Sequence, residues 1–232
     1  MDFIVQGFVQ AFQLLMRGDK EVLSIALLTL KVSGTATLVS LVLGVPLGLY
    51  FAVSRFRGRE FLVGAVNAGM GLPPTVVGLW VALFLWRRGP LGFLGLMYTP
   101  TAMVIAQSII ALPLVAGLTM SAVQQLSPKL RLQILGLGAS PLQFWWLILR
   151  EVRLGVLAAV MAGFGRVIAE VGASMAVGGN VRWYSRVLTT SIVLEVNKGN
   201  FSLALALSFV LLLISYSITY LLTVLQQRRR QA

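Results

Sequence analysis

Five long apolar stretches separated by basic clusters constrain this chain more than any other feature. They run Val32–Val53, Phe61–Trp86, Thr101–Leu126, Leu154–Val181 and Phe201–Leu225, with Arg or Lys residues between them. A bilayer core about 30 Å thick is crossed by ~20 apolar residues in helical form, so each stretch is long enough to span it. The chain is 58% hydrophobic and 11% charged, whereas soluble domains carry about 25% charged residues. The expected fold is all-α, a polytopic transmembrane helical bundle of five spans.

Residues 1–20 read as a separate amphipathic segment. Phe3–Met16 places Gln6, Gln10 and Gln13 among apolar residues and is too short to cross, which fits a helix lying at the interface. Arg17-Gly18-Asp19-Lys20 ends it, and a sixth span results only if this segment also crosses. The start lacks the basic n-region and small-residue cleavage site of a signal peptide. Residues 21–232 form the transmembrane domain. Lys31, near the start of its first long stretch, is placed to snorkel. Basic residues favour the cytoplasmic side. That rule puts the Arg55-Arg57-Arg59 loop, the Lys129–Arg153 segment and Arg228–Arg230 inside, and Arg87, Arg88, Arg182 and Arg186 outside.

The same counts exclude much chemistry. Cys and His are absent, which removes disulfides, thiolate or imidazole metal sites and His general bases. Asp2 and Asp19 are the only aspartates, and Glu170 is the one carboxylate within a long apolar run. An enzyme is therefore disfavoured. The net charge of +12 reads as membrane-flanking charge meeting lipid headgroups rather than as a nucleic-acid surface.

Several local patterns stand out. Segment 127–149 is amphipathic and longer than a connection needs. Pro128 can begin a helix, and Gly138-Ala139-Ser140-Pro141 breaks it and starts another. Such a segment either seats in a groove of a soluble partner or packs only on lipid. Pro73 and Pro74 lack N–H groups, so the helix carrying them must break or bend. They are pore or gate candidates together with Thr75, and Pro113 allows the same two readings, gate or packing kink. Arg166 and Glu170 are four apart, hence on one face of a continuous helix. They read either as an ion pair that sets packing or as a site where Arg166 attracts an anion. Gly163, Gly165, Gly172, Gly178 and Gly179 permit close helix approach or helix breaks. Asn180, Arg182 and Arg186 fall on the outer side, where they either anchor the span or face an extracytoplasmic partner.

Together these strings resemble a known family. Leu137-Gly138-Ala139-Ser140, followed by Leu149-Arg150-Glu151-Val152-Arg153, looks like the cytoplasmic coupling loop of ABC importer permeases, within their tungstate, molybdate and sulfate branch. Gly69–Gly78, Gly89-Pro90-Leu91-Gly92, Ala111-Leu112-Pro113, Ala162–Ala173 and Arg186–Thr190 extend the likeness from about Val22 to the end. Ala169-Glu170-Val171-Gly172-Ala173 with Val177-Gly178-Gly179-Asn180 is similar to the tungstate subgroup. The resemblance implies the type I importer permease fold and an inner-membrane homodimer that conducts an oxyanion. Two cytoplasmic ATPase subunits holding ATP and Mg would dock on it, and an extracytoplasmic tungstate-binding protein would deliver the anion. No cofactor is expected in this chain, which has no Walker-type phosphate loop. The family loop opens with Glu-Ala-Ala, but Leu132, Gln133 and Ile134 stand there. Lys129, Arg131 and Gln133 are the candidate substitutes for ATPase coupling, beside Gly138, Ala139 and Ser140. Molybdate or sulfate transport is the alternative within the branch. A stand-alone channel or secondary carrier is the alternative of another class, one with no need of the coupling segment.

Overall fold

The computed structural model describes residues 4, 5, 7–9, 12, 13 and 18–231, with side-chain surroundings up to residue 227. The described residues form helices α1 (Lys20–Val53), α2 (Arg59–Met70), α3 (Pro74–Leu85), α4 (Pro100–Gln124), α5 (Pro128–Gly136), α6 (Pro141–Glu151), α7 (Arg153–Ile168), α8 (Gly172–Gly178), α9 (Leu188–Asn197) and α10 (Phe201–Gln231). Three of these, α1, α4 and α10, are long and apolar enough to cross a membrane alone. Two bent pairs, α2 with α3 and α7 with α8, bring the number up to five when each pair is counted as one span.

The five apolar stretches thus fold as helices, but two of them are not single helices. Phe61–Trp86 is divided between α2 and α3, which meet at 106°. Helix α2 stops at Gly71, Pro73 is extended (φ −64°, ψ 123°), and Pro74 opens α3 at its first position, where a missing N–H costs nothing. Leu154–Val181 is divided between α7 and α8, which meet at 60°. The expected interfacial helix over Phe3–Met16 lies largely outside the described residues. Gly7 and Phe8, which are described, pack on α10. A Cβ at Gly7 would come within 2.6 Å of Leu205 Cβ, and the Phe8 ring meets Phe209 edge-on at 5.5 Å.

Helices α1 and α4 form the centre. Asp19 caps α1, its Oδ1 accepting from the amides of Glu21 and Val22 at 3.0 Å. The contact face of α1 is built from small residues. A Cβ on Gly48 would lie 2.4 Å from the Ala116 carbonyl oxygen, and one on Gly44 3.2 Å from Ala116 N. Without a hydrophobic drive between helices in lipid, such backbone approach is what packing relies on. Buried hydroxyls are satisfied within α1: Thr29, Thr37 and Ser40 donate to the carbonyls of Ile25, Ser33 and Ala36 at 2.7, 2.7 and 2.8 Å. Ser40 also reaches the Ser108 carbonyl of α4 at 3.2 Å. Lys31 is exposed.

Helices α2 and α7 both lean on α4. A Cβ on Gly69 would approach Pro113 Cβ to 2.8 Å, and one on Gly163 would approach Val115 Cγ2 to 2.9 Å. Pro113 is buried inside an unbroken α4, and its ring is the surface on which α2 rests. At one end of the bundle Ile134, Phe144 and Ile148 seal α5 and α6 onto Phe51 and Val123. At the other end Val22, Ile25 and Leu188 meet Leu207 and Val210 of α10.

Candidate functional site

Three groups of residues singled out by sequence fall at three depths. At the α5–α6 end, Ser127 caps α5, its Oγ accepting from Lys129 N at 3.3 Å, and Pro128 takes the first position. Gly138 then adopts φ +77°, a left-handed conformation that costs a residue with Cβ roughly 1–2 kcal/mol. Ser140 closes a capping box around α6: Gln143 N donates to Ser140 Oγ at 3.4 Å and Ser140 N to Gln143 Oε1 at 2.8 Å. Loss of such a cap costs about 1 kcal/mol. Ser140→Ala should therefore speed hydrogen exchange at the Gln143 and Phe144 amides about fivefold, with the melting temperature of the bundle almost unchanged.

Only one face of this segment is covered. Ile134, Phe144 and Ile148 are buried, whereas Leu137 and Leu142 are 87% and 81% exposed and Leu132 and Leu135 are also exposed. Lys129 and Gln133 share that open side. Arg131 does not, for its guanidinium turns back and donates to the Val123 carbonyl at 3.1 Å. The exposed leucines were missed by sequence reasoning, since periodicity marks an apolar face without saying what covers it.

At mid-depth the two broken spans meet. Helices α3 and α8 pack so closely that a Cβ on Gly78 would lie 2.6 Å from Ala173 Cα. Their first turns adjoin, and a Cβ on Gly172 would lie 2.4 Å from Thr75 Cγ2. Glu170 stands in the link between α7 and α8 and is 8% exposed. Its Oε1 accepts from Ala173 N at 2.9 Å, and its backbone carbonyl accepts from Thr189 Oγ1 at 3.1 Å. This corrects the expected Arg166–Glu170 pair. Helix α7 ends at Ile168, so the two side chains do not share a continuous helical face. The carboxylate is used instead to satisfy the start of α8. Arg166 is exposed and forms no ion pair among the described residues.

The open face of α7 holds Ala158, Gly165 and Arg166, with Ala169 exposed just past its end, so one cation stands among small residues. Helix α2 buries none of its residues and exposes Asn67, while Thr75 is exposed at the start of α3. Asn67 escaped notice in the sequence because one amide barely lowers the hydropathy of a long run. Intramembrane polar groups left open on a lone subunit face a protein or water-filled space rather than lipid.

At the far end, Glu21 gathers two arginines. Arg182 Nε donates to Glu21 Oε1 at 2.9 Å and its Nη2 to Oε2, while Arg186 Nη1 donates to Oε1 at 3.3 Å. The hydrogen bond and charge of Glu21 raise the Arg182 guanidinium further above its ordinary range. Asn180 (φ +53°) holds the turn before them: its Nδ2 donates to the Thr190 carbonyl at 3.4 Å and its Oδ1 accepts from Thr190 Oγ1 at 3.0 Å.

A family model described as binding-protein-dependent transport system inner membrane component matches residues 44–231. The chain belongs to that family. It is a permease component of an inner-membrane transport system and not an enzyme. It is 41% identical over 227 residues to the tungstate uptake system permease protein TupB of Peptoclostridium acidaminophilum, covering 98% of this chain and 100% of the other. The molybdenum transport system permease protein ModB of Azotobacter vinelandii is 27% identical over 203 residues, covering 84% and 90%. Among solved structures, a bacterial ABC transporter involved in the import of the acidic polysaccharide alginate matches 96% of this chain and 82% of its own at a TM-score of 0.75 and 18% identity. At that identity the likeness concerns the fold, which is that of type I ABC importer permeases.

Proposed function

We propose that this permease forms, as a homodimer, the translocation path of an ATP-driven tungstate importer. The observation that carries the anion is 41% identity along nearly the whole chain to a permease named for tungstate, against 27% to one named for molybdenum. Two ATPase subunits, which hold ATP and Mg, seat on the open leucine face of α5 and α6. Lys129 and Gln133 supply polar contacts there, and Gly138, Ala139 and Ser140 form the elbow between the helices. Arg131 holds α5 against the end of α4 through its bond to the Val123 carbonyl. The path runs along the small-residue face of α7, with Arg166 drawing the anion in and Thr75 and Asn67 offering hydrogen bonds. A lone cation suits passage, because a site that holds the ion too strongly also blocks its release. Pro73 and Pro74 fix the break that places Thr75 at the path, and Pro113 holds α2 in position. Asn180, Arg182 and Arg186 shape the outer end, where the tungstate-binding protein docks.

The open coupling face favours this mechanism over a stand-alone channel or carrier, which needs no such surface. Tungsten and molybdenum are measured by elemental analysis in cells with and without the gene at nanomolar supply. Tungsten accumulation should collapse on deletion, and equally when the ATP site of the partner is disabled. Loss of molybdenum or sulfur instead would reassign the anion, and uptake that survives the ATPase mutation would leave a carrier.

A further inference from the structure

At the Glu21 end, α1, α9, α10 and the loop before α9 enclose a cavity of about 560 Å³, within the range of roughly 300–1,000 Å³ common for ligand sites. Its walls are graded. Asp19, Glu21 and Glu195 stand with Arg182, Arg186 and Lys198 toward the helix ends, and Ile25 and Leu207 lie one to two turns deeper. Among the described residues its three acids and three bases leave no net charge. Glu21 already holds both arginines, and Glu195 accepts from Lys198 Nζ at 2.7 Å and Asn200 Nδ2 at 3.1 Å, partners that an entering ligand would share. Ser191, 3% exposed, is among the lining residues, and its buried hydroxyl and the buried Arg186 Nε have no hydrogen-bond partner. Buried polar groups are seldom left so. Beside the charged rim, Trp183 and Tyr184 are exposed and the Arg182 guanidinium lies over the Trp183 ring at 5.6 Å. Trp and Tyr concentrate at the membrane–water boundary, so the rim sits at headgroup depth and the apolar wall reaches toward the acyl region. Gly7 and Phe8 pack on the side of α10 that carries Leu205 and Phe209. Leu207 points away from that side, so these residues leave the cavity open.

We propose that this cavity binds the headgroup of a zwitterionic phospholipid with a primary ammonium, a phosphatidylethanolamine. The phosphate meets Arg186, Lys198 and the Ser191 hydroxyl, and the ammonium meets the Glu195 and Asp19 carboxylates. The acyl chains leave past Leu203, the half-buried leucine of the lining. Charge balance selects the ligand: a free oxyanion would confront three carboxylates with no cation of its own. A trimethylated ammonium has no N–H to donate to them. The bound lipid would wedge α1, α9 and α10 beside the Glu21 bridges that join α1 to the Arg182–Arg186 loop.

The full chain, purified in detergent with whatever subunits accompany it, is titrated by native mass spectrometry with dioleoylphosphatidylethanolamine, dioleoylphosphatidylcholine and inorganic phosphate. One phosphatidylethanolamine per chain should bind about tenfold more tightly than phosphatidylcholine, the scale of one charge-assisted hydrogen bond. Glu195→Gln should erase that preference, Ser191→Ala should weaken both lipids, and Arg88→Gln, outside the cavity, should change neither. Equal binding of the two lipids by the unmodified chain would overturn the proposal. So would a preference that survives Glu195→Gln, or displacement of the lipid by inorganic phosphate, which would mark a site for free oxyanions.

Discussion

Gly78→Ala should cost the permease most of its transport and lower its melting temperature in detergent by several degrees. The added methyl would sit 2.6 Å from the Cα of Ala173. Because that neighbour is backbone, α3 and α8 must separate as units. Overpacking of this kind costs typically about 1–3 kcal/mol, more than the ~1 kcal/mol that alanine gains over glycine within a helix. The separation would also pull Thr75 from Gly172, dismantling the junction of the two broken spans. Gly34→Ala is the control: it meets nothing within 4 Å, so the helix should be slightly more stable and transport unchanged. Melting curves and tungsten uptake on both variants test this. A Gly78→Ala protein as stable and active as the parent would mean that α3 and α8 are not tightly joined in the membrane.

Arg166→Gln should reduce uptake by at least about tenfold, equivalent to ~1.4 kcal/mol of lost attraction, with the melting temperature kept. Arg166→Lys should retain much of the activity. The stability half decides between two roles. Had Arg166 been half of a buried ion pair, its removal would strand a carboxylate and destabilise the bundle by about 3–5 kcal/mol. Glu170 is already satisfied by Ala173 N and carries no bond to Arg166. Uptake and thermal stability measured on one preparation separate the outcomes. A large fall in melting temperature would show that Arg166 holds structure.

Some of this was legible in the chain and some was not. The five spans follow from the length of the apolar runs, and the break at Pro73-Pro74 follows from two missing N–H groups. Pro128, Gly138 and Ser140 announced helices α5 and α6, because each residue type has a favoured place at a helix end. The break after Ile168 was marked less sharply, by Gly172 among glycines that permit either close approach or a break. No proline stands there, and the spacing of Arg166 and Glu170 pointed to a continuous helix. That inference failed because a carboxylate at the end of one helix can satisfy the start of the next, a tertiary choice that spacing cannot reveal. The outer arginines were read as anchors or partner contacts. Their bond to Glu21 joins residues more than 160 positions apart, which no local pattern encodes.

Helix α1 is unbroken over 34 residues, about 51 Å at 1.5 Å per residue, well beyond the ~30 Å hydrocarbon core. One end is tied to the Arg182–Arg186 loop through Glu21. At the other, the Phe51 carbonyl accepts from Arg59 Nε at 2.8 Å, and Phe51 packs in the cluster that seats α6. The helix is therefore a strut fastened on both sides of the membrane. A tilt imposed at either end arrives at the other as a displacement of the same rod, so the two aqueous faces cannot be repositioned independently. Relief from that constraint would have to come at Pro46, the one point in the rod where the ladder of hydrogen bonds lacks a donor.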